Sequence, residues 1–224
     1  MAIQEKLFDP WPEHYDQWFT TPIGLLVKQY ESDLILELLE PQPGEKILDA
    51  GCGTGIFTLD LLSHGCQVTG MDISWPMLIR AKMKTAGSPF WPIQADILRL
   101  PFKDNFFDKA ISVTAIEFIE DVKTAIEELI RVTRNGGTIV VASLNSLSPW
   151  AERRKSRQDH PLFKKAFFRS PDELLSLVPV RGRVKTAIHF MKEHDPQEAQ
   201  HIERKGKEAG LNTGAFVAVR WEKP

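Results

Sequence analysis

Lys46-Ile47-Leu48-Asp49-Ala50 followed directly by Gly51-Cys52-Gly53-Thr54-Gly55 leaves this chain few architectures. A short apolar strand runs into three alternate glycines, and Ile56, Leu59, Leu61 and Leu62 then continue on a helix. Glycine allows a sharp turn and lets main chain approach a ligand, because no Cβ stands in the way. The helix leaving the turn points its free N–H groups and its positive dipole end at the same place. In an open parallel sheet that place is the ligand crevice at the carboxyl ends of the strands.

The sequence alternates in the same manner on either side. Gln67–Asp72, Phe90–Gln94, Phe107–Val113 and Thr138–Ala142 have strand character. Ser74 caps a helix that turns Met77, Leu78 and Ala81 inward, and Val122, Ala125, Ile126, Leu129 and Ile130 are spaced for another. Asn135-Gly136-Gly137 reads as the turn into the fifth strand. Strands alternating with helices predict a parallel sheet covered on both faces. Upstream, Thr21-Pro22 is an N-cap with proline at the first helical position, and Ile23, Leu26, Val27, Tyr30, Leu34 and Leu38 mark one helical face. The first 20 residues read as irregular and are rich in aromatics: Phe8, Trp11, Tyr15, Trp18 and Phe19. Asn145 to Ser170 reads as a polar, irregular connection, and Ser170-Pro171-Asp172-Glu173 opens a short helix. Arg183–Phe190 and Ala215–Trp221 are two late strands separated by the polar segment Lys192–Gly214.

Composition sets the outer limits. The chain has 224 residues, 42% of them hydrophobic, enough for the core of one α/β domain. A net charge of −2 argues against a general polyanion binder, and so against a nucleic-acid partner. Cys52 and Cys66 are too few for a disulfide framework or a four-ligand zinc site, so no metal is expected. There is no signal-peptide core in Met1–Gln17 and no run of 18 apolar residues. The expectation is a cytoplasmic protein without a membrane span.

The ligand is narrowed by one mismatch and one carboxylate. A dinucleotide loop needs a small third residue where this chain has Ile56, which argues against a nicotinamide oxidoreductase. Asp49, two residues before the first glycine, would repel a pyrophosphate and suits a cationic ligand. Ile47 to Gly55 resembles the first motif of class I S-adenosylmethionine (SAM)-dependent methyltransferases. Met71-Asp72-Ile73-Ser74, Gln94-Ala95-Asp96, Leu100-Pro101-Phe102, Ile116-Glu117-Phe118-Ile119 and Asn135-Gly136-Gly137 resemble later motifs of that family in order, the type 11 branch best. The resemblance is strong over 45–145 and loose elsewhere. It implies an α/β, Rossmann-like fold: a seven-stranded, mostly parallel sheet with helices on both faces and an antiparallel C-terminal strand inserted between the fifth strand and Arg183–Phe190. It also implies one domain over 1–224: an N-terminal lid and helix (1–40), a cofactor-binding core (45–145), and an acceptor-side segment with the last two strands (146–224).

What the resemblance implies about the site can be stated residue by residue. Asp72 would accept both ribose hydroxyls of SAM. Asp49 would face the methionine part, and Gly51, Cys52, Gly53 and Gly55 would pass main chain beside it, with Cys52 a small apolar filler. Asp96 would accept from the adenine amino group, with Ala95, Ile97, Ile73 and Met77 around the ring. Thr114 would present backbone to the methionine end, and Tyr15 and Trp18 would close over the cofactor as a lid. Methyl transfer leaves S-adenosyl-L-homocysteine (SAH) and relies mainly on proximity, so no base is obligatory.

The acceptor is less constrained. Val113-Thr114-Ala115-Ile116-Glu117 stands where enzymes acting on amide or exocyclic amino nitrogens carry an Asn-Pro-Pro-Tyr type motif. Glu117 is the carboxylate at the crevice: a base, a substrate anchor or a structural partner. The acceptor-side wall falls to the connection after strand five. Between Ala151 and Ser170, Arg153, Arg154, Lys155, Arg157, Lys164, Lys165 and Arg169 stand against Glu152 and Asp159, a net +5. A solvated face, an anionic small-molecule acceptor and a membrane surface all suit such a run, RNA less so. His160, His189, His194 and His201 are dispersed and read as structural or exposed. The leading expectation is a methyltransferase acting on a small molecule. A quinone or RNA methyltransferase of the same fold and a non-catalytic SAM-binding partner subunit are the alternatives. The acceptor atom and the oligomeric state are not encoded in any motif.

Overall fold

A computed structural model describes residues 7–156 and 165–224. Seven strands form one sheet in the order β3-β2-β1-β4-β5-β7-β6. They are β1 (Lys46–Ala50), β2 (Gln67–Asp72), β3 (Phe90–Gln94), β4 (Phe107–Val113), β5 (Thr133–Leu144), β6 (Gly182–Ala187) and β7 (Phe216–Glu222). The first five are parallel, and β7 lies antiparallel between β5 and β6, the Rossmann-like arrangement expected.

Alternation along the central strands divides the core in two. Ile47, Ile111, Val113, Val140 and Ala142 face one side, against α2 (Pro22–Leu39) and α3 (Ile56–Ser63). Leu48, Ala110, Ile139 and Val141 face the other, against α5 (Val122–Val132) and α7 (Pro171–Leu175). Strands buried on both faces carry continuous apolar sequence for this reason. The helix starts are chemically specified: the Thr21 hydroxyl accepts from the Gly24 N–H at 3.1 Å, and Ser170 and Glu173 form a reciprocal capping box. Ser74 caps α4 (Trp75–Lys84).

Four local expectations are corrected. The N-terminal stretch is not irregular: Pro12–Trp18 is a helix, α1. Its aromatics at 11, 15, 18 and 19 do recur at a helical period, and Trp18 and Phe19 pack on the α2 side of the core. The connection after β5 begins with a helix, α6 (Pro149–Ser156). Within the polar segment 192–214 lies α8 (Pro196–Glu208), whose buried face is Ala199, Glu203 and Gly206. Small and acidic residues carry its period, so hydrophobicity did not reveal it; a Cβ on Gly206 would stand 2.4 Å from the His189 ring. Finally, Asn135-Gly136-Gly137 is not a turn before the fifth strand but a bulge within it. The pairing jumps from Phe107↔Thr133 to Lys109↔Thr138, with Gly136 at φ 69°. No helix among the described residues is long and apolar enough to cross a membrane.

Candidate functional site

At the carboxyl end of β1 the main chain turns on Gly51, whose N–H and that of Cys52 both donate to the Met71 carbonyl, at 2.7 and 2.9 Å. Gly51 has φ +79°, and a Cβ there would sit 2.5 Å from the Ala115 Cβ, so only glycine fits both the turn and the neighbouring loop. Gly55, also left-handed, is the N-cap of α3. A cavity of about 720 Å³ opens over this loop. It is lined by Asp49, Gly51, Cys52, Gly53, Asp72, Ile73, Met77, Ala95, Asp96, Ile97, Thr114 and Tyr15, so twelve of the fourteen expected cofactor residues surround one space. Gly55 and Trp18 are not in that lining.

The carboxylates differ in their surroundings. Asp72 is fixed by two main-chain donors, Gly53 N–H at 2.9 Å and Ser74 N–H at 2.8 Å. Asp96 lines the cavity and also accepts from the Leu98 N–H at 2.9 Å. Asp49 is 1% exposed and accepts from the Thr58 hydroxyl at 2.6 Å. Burial pushes its pKa up to about 7; the Thr58 hydrogen bond opposes this, and the charges of Asp72 and Asp60 add to it. No basic side chain among the described residues relieves it. A buried carboxylate with no counter-ion among the described residues, on the wall of an open cavity, fits a ligand that brings its own positive charge, as SAM does. Burial also raises the Cys52 thiol, which suits an inert filler.

Where β4 ends, Thr114 adopts φ +48°, an uncommon backbone for a β-branched residue. Its N–H donates to the Ala142 carbonyl at 2.9 Å, and its hydroxyl lies 3.3 Å from the Tyr15 hydroxyl. Tyr15 belongs to α1, which is tied down one residue later. Asp16 accepts from Thr54 of the glycine loop at 2.6 Å and pairs with Lys84 and Arg80 of α4 at 2.5 and 3.0 Å.

A second cavity, of about 390 Å³, lies beyond this junction. Phe8, Tyr15, Thr114 and Phe118 line both cavities. Trp18 is found here, with Trp11, Phe19, Trp150, Glu31, Glu117, Arg153 and Arg154. Glu117 is fully buried; Ser143 donates to one carboxylate oxygen at 3.2 Å, and the other has no hydrogen bond among the described residues. Its 3₁₀ turn, Ile116–Phe118, is held by Arg169, which donates to the Ile116 and Ile119 carbonyls at 3.1 and 3.2 Å.

The basic run is therefore divided among tasks. Arg169 braces the Glu117 turn, Arg153 pairs with Glu193 at 2.5 Å, and Arg154 lies over the Trp150 ring at 5.2 Å. The side chain of Lys155, and Arg157, Asp159, His160 and Lys164, lie outside the described residues. His189 is structural, its N–H and Nδ1 both against Glu203, at 2.7 and 3.0 Å. No group of three or more potential metal ligands occurs among the described residues.

Sequence reasoning missed Phe8 and Glu31. The signal for Glu31 was available: it stands on the apolar stripe of α2, four residues after Val27 and three before Leu34.

A family profile described as "Methyltransferase domain" matches residues 48–141. The chain is 32% identical over 183 residues to the malonyl-[acyl-carrier protein] O-methyltransferase of Hamiltonella defensa subsp. Acyrthosiphon pisum, over 76% of this chain and 69% of that protein. It is 32% identical over 190 residues to the demethylmenaquinone methyltransferase of Desulfitobacterium hafniense, over 82% and 69%. Several other curated relatives match over about half of their length. A solved SAM-dependent methyltransferase from Thermotoga maritima shares the fold with a TM-score of 0.73 at 23% identity, over 97% of this chain and 98% of that one.

Proposed function

The chain belongs to the SAM-dependent methyltransferases, and from that premise we propose that it methylates a small-molecule acceptor held in the second cavity. The observation that carries the proposal is the shared wall. A donor cavity and a smaller cavity meet at Phe8, Tyr15, Thr114 and Phe118, so two ligands would face each other there. A non-catalytic SAM-binding subunit would have no use for the second space.

In this reading Asp72 holds the ribose hydroxyls, and Ala95, Asp96, Ile97 and Met77 take the adenine. Asp49 and the glycine loop face the methionine end. When bound, SAM supplies a methyl group on a sulfonium. The protein's part is to align the acceptor and exclude water: proximity of this kind is worth roughly 7–11 kcal/mol of a barrier. The aromatic side chains of α1 and Trp150 enclose the acceptor side, and Glu117 is the carboxylate placed to take a proton where the acceptor must lose one.

The aromatic wall also favours a second reading, a quinol-type acceptor, which the demethylmenaquinone relative brings forward. Radiolabelled SAM with a panel of amines, phenols, quinols and carboxylates tests both. Label should pass to one class and be lost when Tyr15 is replaced by Ala. Tight SAH binding with no transfer to any class would favour the partner-subunit alternative.

A further inference from the structure

We infer that Asp16 is a positioning residue for methyl transfer: its carboxylate latches α1 onto the glycine loop and α4, and thereby holds Tyr15 where the two cavities meet. The inference rests on the reading of those cavities as donor and acceptor sites.

Helix α1 does not hold its own place. It has seven residues, none of them fully buried, and a helix of that length is unstable in isolation. Yet with its flanking residues it supplies Trp11, His14, Tyr15, Trp18 and Phe19 to the second cavity, and Tyr15 also to the first. Asp16 provides the attachment. The Thr54 hydroxyl donates to its Oδ1 at 2.6 Å, Lys84 Nζ to the same oxygen at 2.5 Å, and Arg80 Nε to Oδ2 at 3.0 Å. Lys84 also donates to the Thr54 hydroxyl at 3.0 Å, which closes a ring of three residues from three segments. The Asp16 side chain is 14% exposed and Thr54 is fully buried, so the ring is largely shielded from water. Burial opposes ionisation of Asp16, but the hydrogen bonds from Lys84, Thr54 and Arg80 outweigh it and hold its carboxyl below the usual range. A second tie lies just upstream, where the Ser74 hydroxyl donates to Asp9 at 2.6 Å.

The latch grips the donor side. Thr54 stands between Gly53, whose N–H donates to Asp72, and Gly55, where a Cβ would approach the Ala81 Cβ of α4 to 3.1 Å. Loop and α4 are therefore one close-packed platform, and α1 is docked on it. Tyr15, the residue before Asp16, has its hydroxyl 3.3 Å from that of Thr114, and both residues line both cavities. Burial pushes the Tyr15 phenol up, so it stays protonated at that wall. Transfer between two bound ligands depends on alignment, and a misplacement of about 1 Å can cost on the order of 10²-fold in rate. The charge-assisted cluster at Asp16 thus fixes what stands between donor and acceptor.

The chain has two tyrosines, so 3-fluorotyrosine labelling gives two fluorine signals, which Tyr30→Phe assigns. Tyr30 lies on α2 against Phe190 and serves as an internal reference. In the parent protein SAH should shift the Tyr15 signal and leave that of Tyr30 in place. In Asp16→Ala the Tyr15 signal should move toward its unfolded position and Tyr30 should not change. The response of Tyr15 to SAH should fall by about half or more, and SAH affinity by calorimetry roughly three- to tenfold. Lys84→Met should do the same to a smaller degree, and it carries the test should D16A fail to fold. A Tyr15 response to SAH equal to the parent's in the folded variants overturns the inference and leaves the two cavities standing. A parent that binds SAH by calorimetry without moving the Tyr15 signal overturns the inference and the reading of the shared wall together.

Discussion

Replacing Asp49 by Asn isolates the electrostatics of the donor cavity. In the free protein this carboxyl titrates near 7, because it is buried and faces Asp72 and Asp60 with only the Thr58 hydroxyl in compensation. A ligand whose amino-acid ammonium lies beside it favours the ionised form, so binding must expel the proton that the free carboxyl holds. With a free-state value of about 7, SAH binding should release about 0.9 proton at pH 6 and about 0.1 at pH 8. Below pH 7 the affinity should fall by up to about tenfold per pH unit, until the bound-state pKa is reached. Between pH 8 and pH 5.5 that is roughly 30-fold, or about 2 kcal/mol. Titration calorimetry in two buffers of different ionisation enthalpy reads both quantities. Asp49→Asn should bind more weakly at pH 8 and lose the slope. An SAH affinity that is flat from pH 5.5 to 8, or a slope that survives in D49N, would refute the assignment of Asp49 to the cationic end of the ligand.

Three further outcomes are expected. Asp72→Ala should lose roughly 1.5–3 kcal/mol of SAH affinity with an unchanged circular dichroism spectrum, since a charge-assisted pair of hydrogen bonds goes with it; normal binding would remove Asp72 from the ribose. Glu31, Asp49 and Glu117 are all raised, so between their unfolded values near 4 and their folded values of about 7 to 8 the unfolded chain binds fewer protons, and the ligand-free melting temperature should fall as pH rises through that window. Glu31→Gln should flatten the fall, and a melting temperature rising from pH 5.5 to 8 would contradict it. Deleting residues 1–19 removes the Tyr15 and Phe8 walls but little of the core under the sheet, so a folded protein with weakened SAH binding and no turnover is expected; hydrogen exchange across 7–19 should slow on adding SAH to the full chain.

Much of the larger cavity's lining was legible because its constraints are local. Alternate glycines, a strand-end aspartate and a serine N-cap each act within a few residues, and the structure gathers Asp49, Gly53, Asp72 and Asp96 as the motif order implied. The antiparallel place of β7 came from resemblance alone, because no periodicity encodes which strand a late segment will pair with. What escaped was non-local or compositionally disguised. Helix α8 buries alanine, glutamate and glycine, so it shows no apolar stripe. The second cavity is assembled from α1, α2, α6 and the turn after β4, segments far apart in sequence, and Glu31 and Arg154 line it together although they lie more than 120 residues apart. The two residues expected to act together are divided: Tyr15 borders both cavities, whereas Trp18, three residues on, lines only the smaller one.

The place of β7 also orders events in time. Among the described residues strand β6 pairs only with β7, and β7 follows the other six strands in the sequence. Until it arrives, β5 presents Ile139, Val140, Val141 and Ala142 along an unpaired apolar edge, a template for association with other chains. Ile188, Met191 and Ala215, which close the far side of the second cavity, flank the two strands that wait on this step. A nascent chain can therefore complete its glycine loop and the strands beneath it while the second cavity still lacks a side. A chain cut after Gly214 should stop at that stage: it should aggregate on refolding where the full chain stays monodisperse by light scattering.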